Sequence, residues 1–576
     1  MTQPARARRW ILLGAALAVA AIGSALVLVT ARGRPAQSPP APEGSPEAPA
    51  AEAAPAPAGA AALAAPRDVR LDRSFTTSDE AFRLYSDGVG LASTLPVQAM
   101  TRFARAAELD PRFAPARYRL AMSAALAGRG RDGLAAVRAA LDRPEALPDP
   151  YRSAAGPLSR FLEGAFDLTS HALRDALAAH PADPDVNAVA GMLAACSCDH
   201  FDPNAVVERL ETSLERTGGP PSLRRRLVEA YGMKEMHDWA LEQSRRHAAA
   251  WPEALDALAE PGVVRLWRRE YGDAVEVADE VLRRGGDVFA VGLAPAFILT
   301  GQHAELRSMY DPEMEHGNSI EANAVTHLHA GINDVWLGRF GDAETHFSRG
   351  PEFAASAWEK SRAALFFLLL GRARALEERF AEAHQALEAA QRLAGPQAVL
   401  EYALGVNHLR AGRPAETERA LYRLSSERHR SQPGWTEPWR RLLEAEVALA
   451  AGRATVAADA AREAWMLERP LSVDCVTGHA DAYFLDVLGR ASLEARRPAD
   501  ALDAFEQIRA LGMKGLHQPE ITALAGYRSA LVLASTGRPD EARVRLEQFI
   551  RQWAGAEDHP LVRDARQRLQ RIGERG

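Results

Sequence analysis

Three lysines, three cysteines and few aromatic residues mark what this 576-residue chain does without. Lysine occurs only at Lys234, Lys360 and Lys514, the other cations being arginine, and none of the three follows a phosphate-loop glycine pattern. Cys196, Cys198 and Cys475 are too few for a disulfide framework or a four-cysteine zinc site. No G-x-S-x-G elbow and no H-E-x-x-H pair occurs, so no motif marks an enzyme or a cofactor site, and none is expected. The basic face that a nucleic-acid surface needs is missing too. The chain has 69 cations against 76 acids, and five of its arginines lie in the first 34 residues.

What is present divides into segments. Residues 1–9 form a short tail carrying Arg6, Arg8 and Arg9, ahead of an uncharged run from Trp10 to Ala31. As a helix that run is roughly 33 Å long, enough to cross a bilayer core. The cations before it favour a cytoplasmic N-terminus and an exported remainder. An uncleaved signal anchor over 10–31 is expected, with a cleavable signal peptide as the rival because Val29 and Ala31 are small. Both readings place the large domain outside the cytoplasm. Residues 32–67 are rich in proline and alanine, without an aromatic, and read as a disordered linker. The folded domain is expected over 68–576.

That domain is periodic. The stretch GINDVWLGRFGDAETHF begins at Gly331. With Gly331 as position 8 of a unit, Gly338 falls at 15, Phe340 at 17, Ala343 at 20 and Phe347 at 24. With Gly371 at 8, Phe380, Ala383, Leu387 and Ala390 take positions 17, 20, 24 and 27. Gly489 at 8 places Ala501, Phe505 and Ile508 at 20, 24 and 27. From Gly405 the spacing gives Leu421 at 24, but Thr417 replaces alanine at 20. Weaker copies include Ala99 and Phe103, Ala240, Tyr271 and Ala274, Gly452 and Ala457, and Gly537 and Ala542. A small residue at 20 lets two helices approach closely, whereas position 21, as in Glu344, is expected to turn outward.

These spacings resemble the tetratricopeptide repeat (TPR) family. The resemblance implies an all-α, right-handed solenoid of helix pairs that binds proteins or peptides along its concave face. FTTSDEAFRLYSDGV near Phe75 and FIRQWAGAEDHPLVRDARQRL near Phe549 look like the opening and closing segments of a large bacterial repeat module. That module is often joined through one membrane span to a serine/threonine kinase. Here only nine residues precede Trp10, which implies the scaffolding or sensory half without its kinase. The family's inward positions carry over to Leu328 and Trp336, Leu368 and Arg372, Tyr402 and Arg410, and Asp486 and Arg490. The expected function is a membrane-anchored, exported protein-binding scaffold. The alternative is a receptor that senses a peptide or small ligand and relays this through the span. No metal or nucleic-acid partner is implied.

Two clusters have chemistry-bearing residues. Cys196, Cys198, His200 and Asp202 alternate in CSCDHFD, a set suited to zinc in an extended strand, but no second cysteine pair exists and a structural role is expected. His316, His327 and His329 with Glu313 and Glu315 are expected to be packing or surface residues. GRGRDG over Gly128–Gly133 matches a dinucleotide motif but follows a helix-forming run, so a turn between helices is expected.

Overall fold

The computed structural model describes residues 73–574 with breaks. These are 93–95, 127–129, 164–165, 182, 197–206, parts of 209–235, 251, 253, 311–319, 355–359, 396, 426–432, 469–472 and 475–477. The expected span and linker lie outside the described residues, as do Cys198, His200, Asp202, Glu313, Glu315 and His316. Among the described residues no helix is long and apolar enough to cross a membrane, and no group of three or more acidic, histidine or cysteine residues could hold a metal.

Helices follow one another as antiparallel pairs, exemplified by Ile320–Trp336 with Phe340–Phe353, Lys360–Leu376 with Phe380–Ala394, and Asp481–Glu494 with Pro498–Arg509. The sole departure from all-α among the described residues is a two-residue antiparallel ladder, Val473–Asp474 with Gly478–His479. The spacing read from the sequence becomes contact. A Cβ on Gly331 would strike the ring of Phe347, one on Gly371 would lie 2.8 Å from Leu387, and one on Gly489 would lie 2.5 Å from Phe505. Position 8 therefore meets position 24 in all three units, and neither can grow without parting the pair. The small position 20 is fully buried at Ala99, Ala240, Ala274, Ala343, Ala383, Ala457, Ala501 and Ala542. In the degenerate unit, Thr417 takes that place and donates its hydroxyl to the Gly405 carbonyl at 3.3 Å. There Ala420 supplies the buried face and Leu421 is only partly covered, one residue off the expected spacing.

Position 15 reverses the chain between the two helices, and it does so in the left-handed region. Gly338, Gly412 and Gly452 have φ of 70° and Gly537 has 77°, but Arg269, Glu378 and Arg496 hold the same place at 65°, 60° and 58°. The next amide closes a six-residue loop onto the first helix: Arg339 N–H reaches Asp334 O at 2.8 Å, and Arg497 N–H reaches Ser492 O at 2.8 Å. A side chain in this conformation costs roughly 1–2 kcal/mol. Glu378→Gly is accordingly expected to raise stability by about 0.5–1 kcal/mol, and Gly412→Ala, whose Cβ would meet nothing, to lower it by about 1 kcal/mol. Thermal unfolding of the two variants checks both signs.

Glu344 does not turn outward as position 21 was expected to. Its carboxylate accepts from Arg374 Nε at 2.9 Å and Arg379 Nη1 at 2.7 Å, tying its unit to the next. Burial pushes its pKa up, but hydrogen bonds from Arg379 and Arg374 outweigh this and hold it below the usual range. Of the Gly128–Gly133 motif, Gly128 and Arg129 lie outside the described residues, and the rest, from Gly130, opens helix Gly130–Leu141 after helix Ala114–Leu126 rather than forming a turn. A helix precedes it where a dinucleotide site needs a strand. A Cβ on Gly133 would sit 3.1 Å from Ala121 O, so this glycine serves close helix packing. His327 is buried, its Nδ1 3.1 Å from that of His346, which in turn lies 3.4 Å from Asp334. Cys196 ends helix Pro184–Cys196.

The buried residues form two large clusters that meet in helix Leu255–Trp267, one over 81–264 and one over 259–565. The second does not stay open. Helix Pro519–Ser535 packs on helix Ile320–Trp336, and Trp553, fully buried, meets Phe340 edge-on at 5.3 Å. His559 packs on both rings and donates from Nε2 to the Leu376 carbonyl at 3.3 Å, while its Nδ1 accepts from Leu561 N–H. Gly338 permits the approach, since a Cβ there would lie 2.9 Å from Ala556. The array from 320 to 573 thus returns to its own beginning.

Candidate functional site

Closure gathers the first helices of successive units around one pocket. It is lined by Arg372, Tyr402, Arg410, Glu446, Tyr483, Asp486, Arg490, Glu520 and Arg528, from five helices, and holds about 70 Å³ of free space. Five of the residues carried over from the repeat pattern meet here: Arg372, Tyr402, Arg410, Asp486 and Arg490. The other three do not. Leu328 and Leu368 are buried in the core, the first on a helix covered by Pro519–Ser535, and Trp336 lines a different cavity. Glu446 was also legible, because Gly452 at position 15 puts it at position 9, in register with Arg372 and Arg490. Glu520 and Arg528 lie on the first helix of the unit whose position 15 is Gly537, but at none of its inward positions.

Four guanidiniums face three carboxylates in this pocket. Arg372 pairs with Glu520 across the concavity and lies 4.2 Å from the Tyr483 ring centre. Arg490 pairs with Glu446 and with Asp486 at 2.9 Å, and Arg528 also pairs with Asp486. Tyr402 donates to Glu446 at 3.3 Å. Trp439 lies under Tyr402 and Tyr483, at 5.3 and 5.6 Å between ring centres, giving the charges an apolar floor.

Arg410 is left over. It reaches solvent and has neither a hydrogen bond nor an ion pair among the described residues. Crowding by protein lowers its pKa, and Arg490 and Arg372 add to this against the pull of Glu446. Burial, with Arg410 and Arg372 adding repulsion, pushes Arg528 down to about 9, so it stays charged at neutral pH. Burial pushes Glu446 up, but Arg490 and Arg410 overcome it and keep the carboxylate ionised. The site therefore carries one unmatched positive charge, held against like charges, and an incoming carboxylate would relieve that repulsion. The space is too small for a peptide backbone to thread through. It suits a side chain or a chain end.

The helix pairs, the buried small positions and the left-handed reversals define a tetratricopeptide-like helical-repeat protein. No protein-family model and no curated protein matches the chain. Among solved structures it is similar to that titled as the crystal structure of the APC/C hetero-tetramer Cut9–Hcn1, at 13% identity over 86% of this chain and 96% of that one, with a TM-score of 0.27. It is similar also to yeast Tom70, at 12% identity over 86% and 96%, with a TM-score of 0.31. Superpositions this loose carry no argument, and the class rests on the contacts above.

Proposed function

We propose that the protein is a membrane-anchored, exported binding scaffold whose concave arginine pocket takes a carboxylate from a protein partner. The observation that carries this reading is Arg410, a guanidinium without a partner at the edge of a pocket whose other charges are matched. The one hydroxyl held by a carboxylate there, Tyr402 on Glu446, is not activated, because burial and then Glu446 push its pKa up, so recognition rather than catalysis is the role proposed for the pocket. The acidic side chain or chain end would enter singly, and the outer faces of the helices would hold the rest of the partner. A photoreactive residue in place of Val406, which lines the pocket, should crosslink a partner in intact cells. Adding Arg410→Glu should abolish that crosslink, and equal capture with and without the charge reversal would contradict the assignment.

Anchoring and export rest on the uncharged run at 10–31 and the cations ahead of it. A reporter active only in the cytoplasm, fused after Gly576, is expected to be silent. Strong reporter activity would overturn this topology while leaving the pocket untouched.

A further inference from the structure

A second cavity of about 450 Å³ lies where the array meets itself. One side comes from Arg269, His303 and Trp336, the other from Arg509, Arg545 and Phe549. Its size falls within the roughly 300–1,000 Å³ usual for small-molecule sites. The wall has a flat apolar part: His303 and Trp336 stack at 5.6 Å with 24° between their planes. His303 donates from Nδ1 to Asn333 Oδ1 at 2.8 Å, and burial lowers its pKa, so this wall is neutral at pH 7.

The rest of the lining is cationic without an answering acid. Three arginines face the cavity and no aspartate or glutamate does. Arg509 and Arg545 share a single carboxylate, Glu506, at 2.7 Å each, and Arg269 has no ion pair. Two positive charges thus remain unmatched beside a stacked aromatic wall. The seam is also built to close tightly here. Gly512, at φ 59°, packs against the Tyr271 hydroxyl in space that a Cβ would fill.

We propose that this cavity binds a small organic anion with a flat, ring-shaped body: the ring on Trp336 and His303, the anionic group between Arg269 and the Arg509–Arg545 pair. Because the walls come from residues 269–336 and 508–552, the ligand fastens the beginning of the second buried cluster to its end. The site is separate from the concave pocket, so either assignment can fail alone.

The test is calorimetric titration of the full chain in detergent with 1-naphthoate, using 1-naphthalenemethanol as the neutral counterpart and empty micelles as the blank. Saturable one-to-one binding of naphthoate is expected, with the alcohol at least tenfold weaker. Arg269→Asn keeps a residue that tolerates the left-handed backbone and should weaken naphthoate tenfold or more. Trp336→Ala should do the same, with unchanged circular dichroism showing that the fold survives. Binding should also slow amide exchange at 509–516. No saturable binding, equal affinity for acid and alcohol, or full affinity in both variants would each overturn the proposal.

Discussion

Trp553→Ala is expected to lower the stability of the 320–573 array by about 3–5 kcal/mol, the cost of removing a large ring from a closed core. The residue is fully buried among Phe340, Phe549 and His559, with ring centres 4.9–5.3 Å away. Its indole nitrogen has no hydrogen-bond partner, so the loss is one of packing alone. Trp553→Phe should cost less than half as much. The consequence should also appear far along the chain, because the contact with Phe340 joins residues more than 200 apart in sequence. Amide exchange should speed up at 338–341 and at 560–573, while helices 79–126 keep their protection. A uniform loss along the chain would mean that closure is not carried by this ring.

Glu446→Ala is the second large effect, again about 3–5 kcal/mol, since it strips Arg490 of a buried partner and adds to the repulsion around Arg410 and Arg528. An added carboxylate should recover part of the loss if the pocket accepts anions. Melting temperatures of this variant are expected to rise in millimolar acetate well beyond the wild-type response. Chloride at the same ionic strength should do much less. Equal effects of the two salts would reduce the pocket to a structural ion-pair network.

How far the fold could be read from sequence differs by kind of contact. Gly331, Ala343 and Phe347 announce their unit because close packing of two adjacent helices forces residue sizes at fixed spacing. Leu421 misleads because, in the unit that has Thr417 at position 20, Ala420 is the buried neighbour instead. Glu344 misleads for another reason: its position is exposed in one helix pair, and only the next unit brings Arg374 and Arg379 to it. Closure was the feature least visible. Trp553 and His559 lie in the closing segment, yet nothing local states that Phe340 lies opposite, because curvature accumulates from small angles at every unit.

The same distinction governs the candidate site. Tyr402, Arg410, Asp486 and Arg490 follow from repeat positions that face the concave side, and Glu446 follows from one more application of that spacing. Glu520 and Arg528 come from the 17-residue first helix of the unit closed by Gly537, at positions that do not count as inward. Leu328, at an inward position by the same count, is buried instead. An inward position predicts a binding face only where the concavity stays open.

The most direct measurement is the affinity of the full chain for short acidic peptides, each made with a free and an amidated carboxyl terminus and with aspartate exchanged for asparagine. The account predicts saturable binding that requires a carboxylate, weakens at least tenfold in Arg410→Gln, and leaves the thermal stability of that variant near the wild type. Peptides that bind equally well without any carboxylate, or with Arg410 replaced, would contradict it.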